Sequence, residues 1–153
     1  MIKNLLDHLE QHKIQLVEAP IPSKSVKALY FDEIIVLDSE RIETESEKFC
    51  ILAEEIGHYE TTSGIITDTS DLASVKQENI ARRWAYKKLL PLERFIDCFN
   101  EGCRNAYEAA EYLGVTVEFL EESVKAYHLI HGDYHIIEDY IIYFNPLGVM
   151  KRF

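Results

Sequence analysis

A chain of 153 residues with 27 Asp and Glu against 16 Lys and Arg carries a net charge of −11, the wrong sign for nonspecific nucleic-acid binding, which rests on basic side chains neutralising phosphates. Hydrophobic residues make up 47%, enough for the core of one domain, yet no apolar run is long enough to span a membrane, and the early acidic Asp7 and Glu10 argue against a signal peptide. Cys50, Cys98 and Cys103 form no metal-type CxxC pair and read as reduced core thiols, in keeping with a cytoplasmic protein.

In chain order, residues 2–12 place Ile2, Leu5, Leu6 and Leu9 on one side of an amphipathic helix. His8 and His12, four apart on that helix, are expected on a solvated face. Residues 14–17 read as extended, and Ala19-Pro20-Ile21-Pro22 as a turn. Residues 26–30 and 34–37 predict an antiparallel hairpin, whose wholly apolar second strand is expected to be buried on both faces or to lie beside the next helix. Thr44-Glu45-Ser46-Glu47 fits a capping box that starts a helix running to about residue 61. Phe49, Leu52, Ile56 and Tyr59 make its core stripe, while Cys50, Glu54 and His58 lie on another.

A polar loop is expected over residues 61–71. Ser74-Val75-Lys76-Gln77 then reads as a second capping box opening a helix with Glu78, Ala81, Trp84, Ala85 and Leu89, stopped by Pro91. A short helix follows over residues 92–100 and closes near Gly102. Residues 105–113, a Gly114-Val115 turn and residues 116–130 read as helix-turn-helix, with Thr116 as cap. Glu118, Glu121 and Glu122 give that second helix the wrong sign for DNA, so it reads as a packing unit or a partner surface. His128, His131 and His135 straddle Gly132 and read as surface or turn residues. The tail, residues 134–144, alternates aromatic and aliphatic side chains and predicts one or two short strands or an extended segment, ending at Asn145-Pro146.

The chemistry concentrates in Ala53-Glu54-Glu55-Ile56-Gly57-His58-Tyr59. This has the spacing of the HExxH helix of zinc peptidases, with Glu54 where the first His would stand. Residues four apart share a helix face, so Glu54 and His58 can address one ion, and the adjacent Glu55 is the candidate general base. A third ligand is needed, and Glu78 is the best candidate, because Ala81 and Ala85 beside it would let two helices approach closely.

Two motifs, Leu52-Ala53-Glu54-Glu55-Ile56-Gly57-His58-Tyr59 and Glu78-x-x-Ala81-x-x-Trp84-Ala85 with Leu89-Leu90-Pro91 after it, together resemble the ImmA/IrrE family of metallo-endopeptidases. The resemblance covers residues from about 26 to 127. It implies an α+β, zincin-like minimal metallopeptidase with a small antiparallel sheet, an active-site helix and a C-terminal helical pair. It places a peptidase core over residues 1–102, with the helical pair and tail, residues 103–153, packed on it as a single unit. It implies His58 and Glu78 as metal ligands, Glu55 as base, and Zn2+ as cofactor, with Mn2+ as the alternative; the substrate-binding residues stay unknown. Glu54 departs from the pattern: a second carboxylate makes the site less positive than two imidazoles and one carboxylate would, weakening the acidification of a bound water and favouring oxygen-preferring ions. The implied activity is cleavage of a partner regulator such as a phage-type helix-turn-helix repressor, in the setting of a mobile element, without direct nucleic-acid or membrane binding. The alternative is a catalytically weak or metal-free module of the same fold that regulates a repressor by gripping it.

Overall fold

The computed structural model describes residues 2–62 and 71–153 and is α+β, as expected. Two compact units divide the chain, Met1–Ala85 and Tyr86–Phe153. In the first, helix α1 (Ile2–Gln11) leads into strand β1 (Gln15–Glu18), and β2 (Ala28–Phe31) and β3 (Ile34–Leu37) form the expected hairpin. Its two-residue turn holds Asp32 and Glu33 at positive φ, the backbone that matches strand twist in such hairpins. The sheet order is β1-β3-β2, and β1 runs parallel to β3, so this sheet is mixed rather than purely antiparallel. The apolar β3 is central, with Ile35 and Leu37 fully buried, which accounts for a strand without polar alternation.

Helix α2 (Glu45–Thr61) starts where its sequence signal lies: Thr44 Oγ1 accepts from the Glu47 main-chain N–H at 3.1 Å. The return bond of the box is displaced by one residue, since the Glu47 carboxylate takes the N–H of Glu43 at 2.8 Å. Of the expected core stripe, Leu52 and Ile56 are buried while Phe49 and Tyr59 are half-buried, and Cys50, Ala53 and Gly57 are buried as well, so α2 packs on two sides. Helix α3 (Asp71–Leu89) already contains Ser74, so the capping signal there lies inside the helix and does not start it. The expected polar loop falls largely on residues 63–70, outside the described residues.

In the second unit, α4 (Leu92–Asn100) begins after Pro91. Helices α5 (Ala106–Leu113) and α6 (Val117–His131) form the expected pair, capped by Asn105 and Thr116 and joined through Gly114 at φ 71°. The Tyr127 hydroxyl, buried, donates to the Leu90 carbonyl at 2.7 Å, and Arg94 donates to the carbonyls of Leu89 and Leu113 at 2.7 and 3.0 Å. The tail holds more than sequence suggested: β4 (Tyr134–Ile137), β5 (Tyr140–Phe144) and β6 (Leu147–Lys151) form an antiparallel meander, with Asn145-Pro146 as the turn into a third strand rather than the end. No helix among the described residues is long and apolar enough to cross a membrane.

Candidate metal and acid-base site

The site residues lie in the first unit, on α2 and α3. The two helices come close where Gly57 meets Ala81: a Cβ on residue 57 would stand 2.4 Å from the Ala81 carbonyl oxygen. Ala81 and Ala85 are fully buried, so the small residues of α3 work together with the glycine of α2. This crossing aligns the turn of α2 carrying Glu54 and His58 with the turn of α3 carrying Glu78. His58 Nε2 lies 3.2 Å from Glu78 Oε2. The other carboxylate oxygen of Glu78 lies 3.2 Å from Arg82 Nε, one turn further along α3.

Glu54 and Glu55 are half-buried, and burial is the first cause that shifts both. It holds the Glu54 carboxyl above the ordinary carboxylate range; the Arg82 guanidinium pulls it down and the charge of Glu78 pushes it up. Glu55 is pushed up to about 7 by burial and by the charges of Glu54 and Glu78. The main-chain N–H of Tyr30, on the outer strand β2, hydrogen-bonds its ionised form and offsets part of that rise. At that level the carboxyl exchanges a proton readily near neutral pH, the property a general acid-base group needs.

The expected site residues are therefore neighbours, but not all meet at one point. Among the described residues, the three His and carboxylate ligand atoms lying within 4.8 Å of one another are those of His8, His12 and Glu60. Glu54 does not close on His58 and Glu78 to that spacing; its carboxylate and that of Glu78 repel, and Arg82 serves as their counter-charge. The donor set, one imidazole facing one carboxylate with a second carboxylate beside them, is of a kind that zinc and manganese accept.

Sequence reasoning missed Arg82, although its i,i+4 spacing from Glu78 was open to view. It missed the Tyr30 amide, because main-chain donors leave no trace in side-chain patterns. The His8 and His12 face, expected to be solvated, instead lies against the end of α2, with His8 Nε2 2.7 Å from Glu60 Oε1. Tyr59 packs edge-on to the rings of Tyr30 and His12, and half-buried Trp84 edge-on to His8. In the second unit, His131 lies on Tyr127 and Phe144, its centroid 4.3 Å from that of His135.

No curated protein and no solved structure matches the chain. A family model described as peptidase M78, the IrrE N-terminal-like domain, matches residues 9–125, well over half of the chain and inclusive of Glu54, Glu55, His58 and Glu78; the chain belongs to this family, and its activity class is that of a metal-dependent peptidase.

Proposed function

We propose that the chain is an endopeptidase that cleaves a protein regulator of the helix-turn-helix repressor type, with Glu54, His58 and Glu78 as the ligands of Zn2+, or of Mn2+ as the alternative, and Glu55 as base. The observation that carries this reading is the 3.2 Å approach of His58 Nε2 to Glu78 Oε2 between two helices, with Glu55 in the turn beside it. A divalent cation held there would polarise the scissile carbonyl and acidify a water molecule. Glu55 takes the proton of the attacking water on its carboxylate and hands it to the leaving amine. Glu54 and Glu78 hold negative charge around that step, and Arg82 keeps Glu78 oriented through its Nε. The net charge of −11 favours encounter with a basic partner, as DNA-binding regulators are, and an acidic reader of such a protein needs no nucleic-acid contact of its own. Three cysteines without a disulfide suit a reducing cytoplasm.

The second reading is a binding module that grips the regulator without cutting it. The Arg82–Glu78 pair favours it, since a guanidinium already neutralises one of the carboxylates. Co-expression with a candidate helix-turn-helix repressor, read by intact mass, separates the two. Cleavage by the natural sequence, abolished in Glu55→Gln with metal content retained, is the expected result. A partner that stays whole, and binds the natural chain and Glu55→Gln equally well, establishes the binding module instead.

A further inference from the structure

We propose that His8, His12 and Glu60 form a second site, for a divalent transition-metal ion of the zinc class, which clamps α1 to the C-terminal end of α2. Glu60 is far in sequence from the two histidines and meets them in space: His8 Nε2 and His12 Nε2 lie 2.7 and 3.6 Å from the same oxygen, Glu60 Oε1. These distances straddle the roughly 3.3 Å between two ligand atoms on a tetrahedral zinc with N and O ligands. Two imidazoles and one carboxylate are also a donor set found in zinc enzymes with an open coordination position. The imidazole rings stack with centroids 4.3 Å apart, His8 on α1 and His12 in the turn that continues it, where the His12 N–H still donates to the His8 carbonyl at 3.1 Å, so both edges turn toward Glu60 together.

The surroundings favour ligation over a simple ion pair. Tyr59 Oη lies 3.3 Å from His12 Nδ1. An Nδ1–H donated to that oxygen leaves Nε2 with its lone pair toward Glu60, the arrangement by which ligating histidines are held in one tautomer. Trp84 packs T-shaped against the His8 ring, centroids 5.5 Å apart, and limits its rotation. The side chain of His12 is 38% exposed against 13% for His8, so the cluster opens to solvent on one side, giving an ion a route in and a position for water. Glu60 stands two residues beyond His58, and residues so spaced point to different faces of a helix, so this cluster is distinct from the one formed with Glu78. His8 also precedes residues 9–125, so the complete trio is not part of the family match. Imidazole ligands select Zn2+, Co2+, Ni2+ or Cu2+ over Mg2+ and Ca2+.

The test is Co2+ titration of the full chain in a His58→Ala/Glu78→Gln background, read by visible absorption and by calorimetry. Because that background removes the other cluster, the result does not depend on the peptidase reading. One equivalent of Co2+ is expected to bind, with Mg2+ in excess unable to displace it. Adding His12→Ala at its exposed position, or Glu60→Gln, which keeps the shape of the side chain, should weaken binding at least tenfold or so, and Tyr59→Phe by about tenfold through the lost Nδ1 partner. Far-ultraviolet circular dichroism identifies any variant that fails to fold, and the other two then decide. No Co2+ bound in the background variant, or an affinity indifferent to folded His12→Ala and Glu60→Gln, overturns the site.

Discussion

Replacing Gly57 by Ala sets two opposed effects against each other. Within a helix the change to Ala is favourable by about 1 kcal/mol from backbone propensity alone. Against it, the new Cβ would stand 2.4 Å from the Ala81 carbonyl oxygen, 3.1 Å from its carbonyl carbon and 3.3 Å from its Cα. All three are main-chain atoms of α3, so no side chain can swing aside. Ordinary contact begins near 3.4 Å, so the helices must part by up to 3.4 − 2.4 = 1.0 Å at this point. A gap of that size forfeits a quarter to a half of the dispersion energy of each contact along the seam, where Ala81 and Ala85 are fully buried. Overpacking of this kind costs up to about 3 kcal/mol, which leaves Gly57→Ala about 2 kcal/mol less stable than the natural chain. For a chain of this size the melting temperature falls by roughly 4–8 °C. Urea denaturation followed by circular dichroism measures it, with Gly148→Ala as control, since nothing lies within 4 Å of a Cβ there. A Gly57→Ala protein as stable as the natural chain, or more so, would show that propensity wins and refute the close crossing, and with it the positioning of His58 opposite Glu78.

Glu55, raised from the ordinary 4.5 to about 7, binds more protons in the folded than in the unfolded chain between those values, so its contribution to stability falls as pH rises through that window. Glu55→Gln should therefore gain about 2–3 kcal/mol on the natural chain between pH 4.5 and 7, after allowance for its partial exposure, and parallel urea midpoints for the two proteins across that range would contradict the burial argument. Tyr127→Phe removes the hydroxyl that donates to Leu90 at 2.7 Å and leaves a buried carbonyl without that donor; a loss of about 1–2 kcal/mol in urea unfolding is expected, and none would mean the bond contributes nothing net.

What was legible in the sequence was local. Thr44, Asn105 and Thr116 each announce a helix because a short oxygen-bearing side chain can satisfy an N–H at the helix start, and each does so here. Gly114 announces a stop because its φ of 71° suits a residue without Cβ. The spacing of Glu54, Glu55 and His58 places them on one helix, and the small Ala81 and Ala85 point to a close neighbour. What stayed hidden was non-local. Strand β1 pairs in parallel with β3, with β2 between them only in sequence, a choice no short window encodes. Strand β6 contains Gly148 and follows a proline, both of which argue against strand in isolation; its pairing with β5 prevails. Glu60 is one carboxylate among many in sequence, and only the packing of α1 against α2 reveals it as the partner of two histidines.

The hydrogen bond from the Tyr30 main chain to Glu55 has a consequence for solubility. Strand β2 is the rim of its sheet and displays Leu29 and Phe31 to water, 45% and 74% exposed. A greasy rim with open amides is a template on which another polypeptide can stack and spread into aggregates. The Tyr30 amide that offsets part of the rise in the Glu55 pKa lies in the middle of that rim, so the ionised carboxylate stands at a position where an added strand would have to pair.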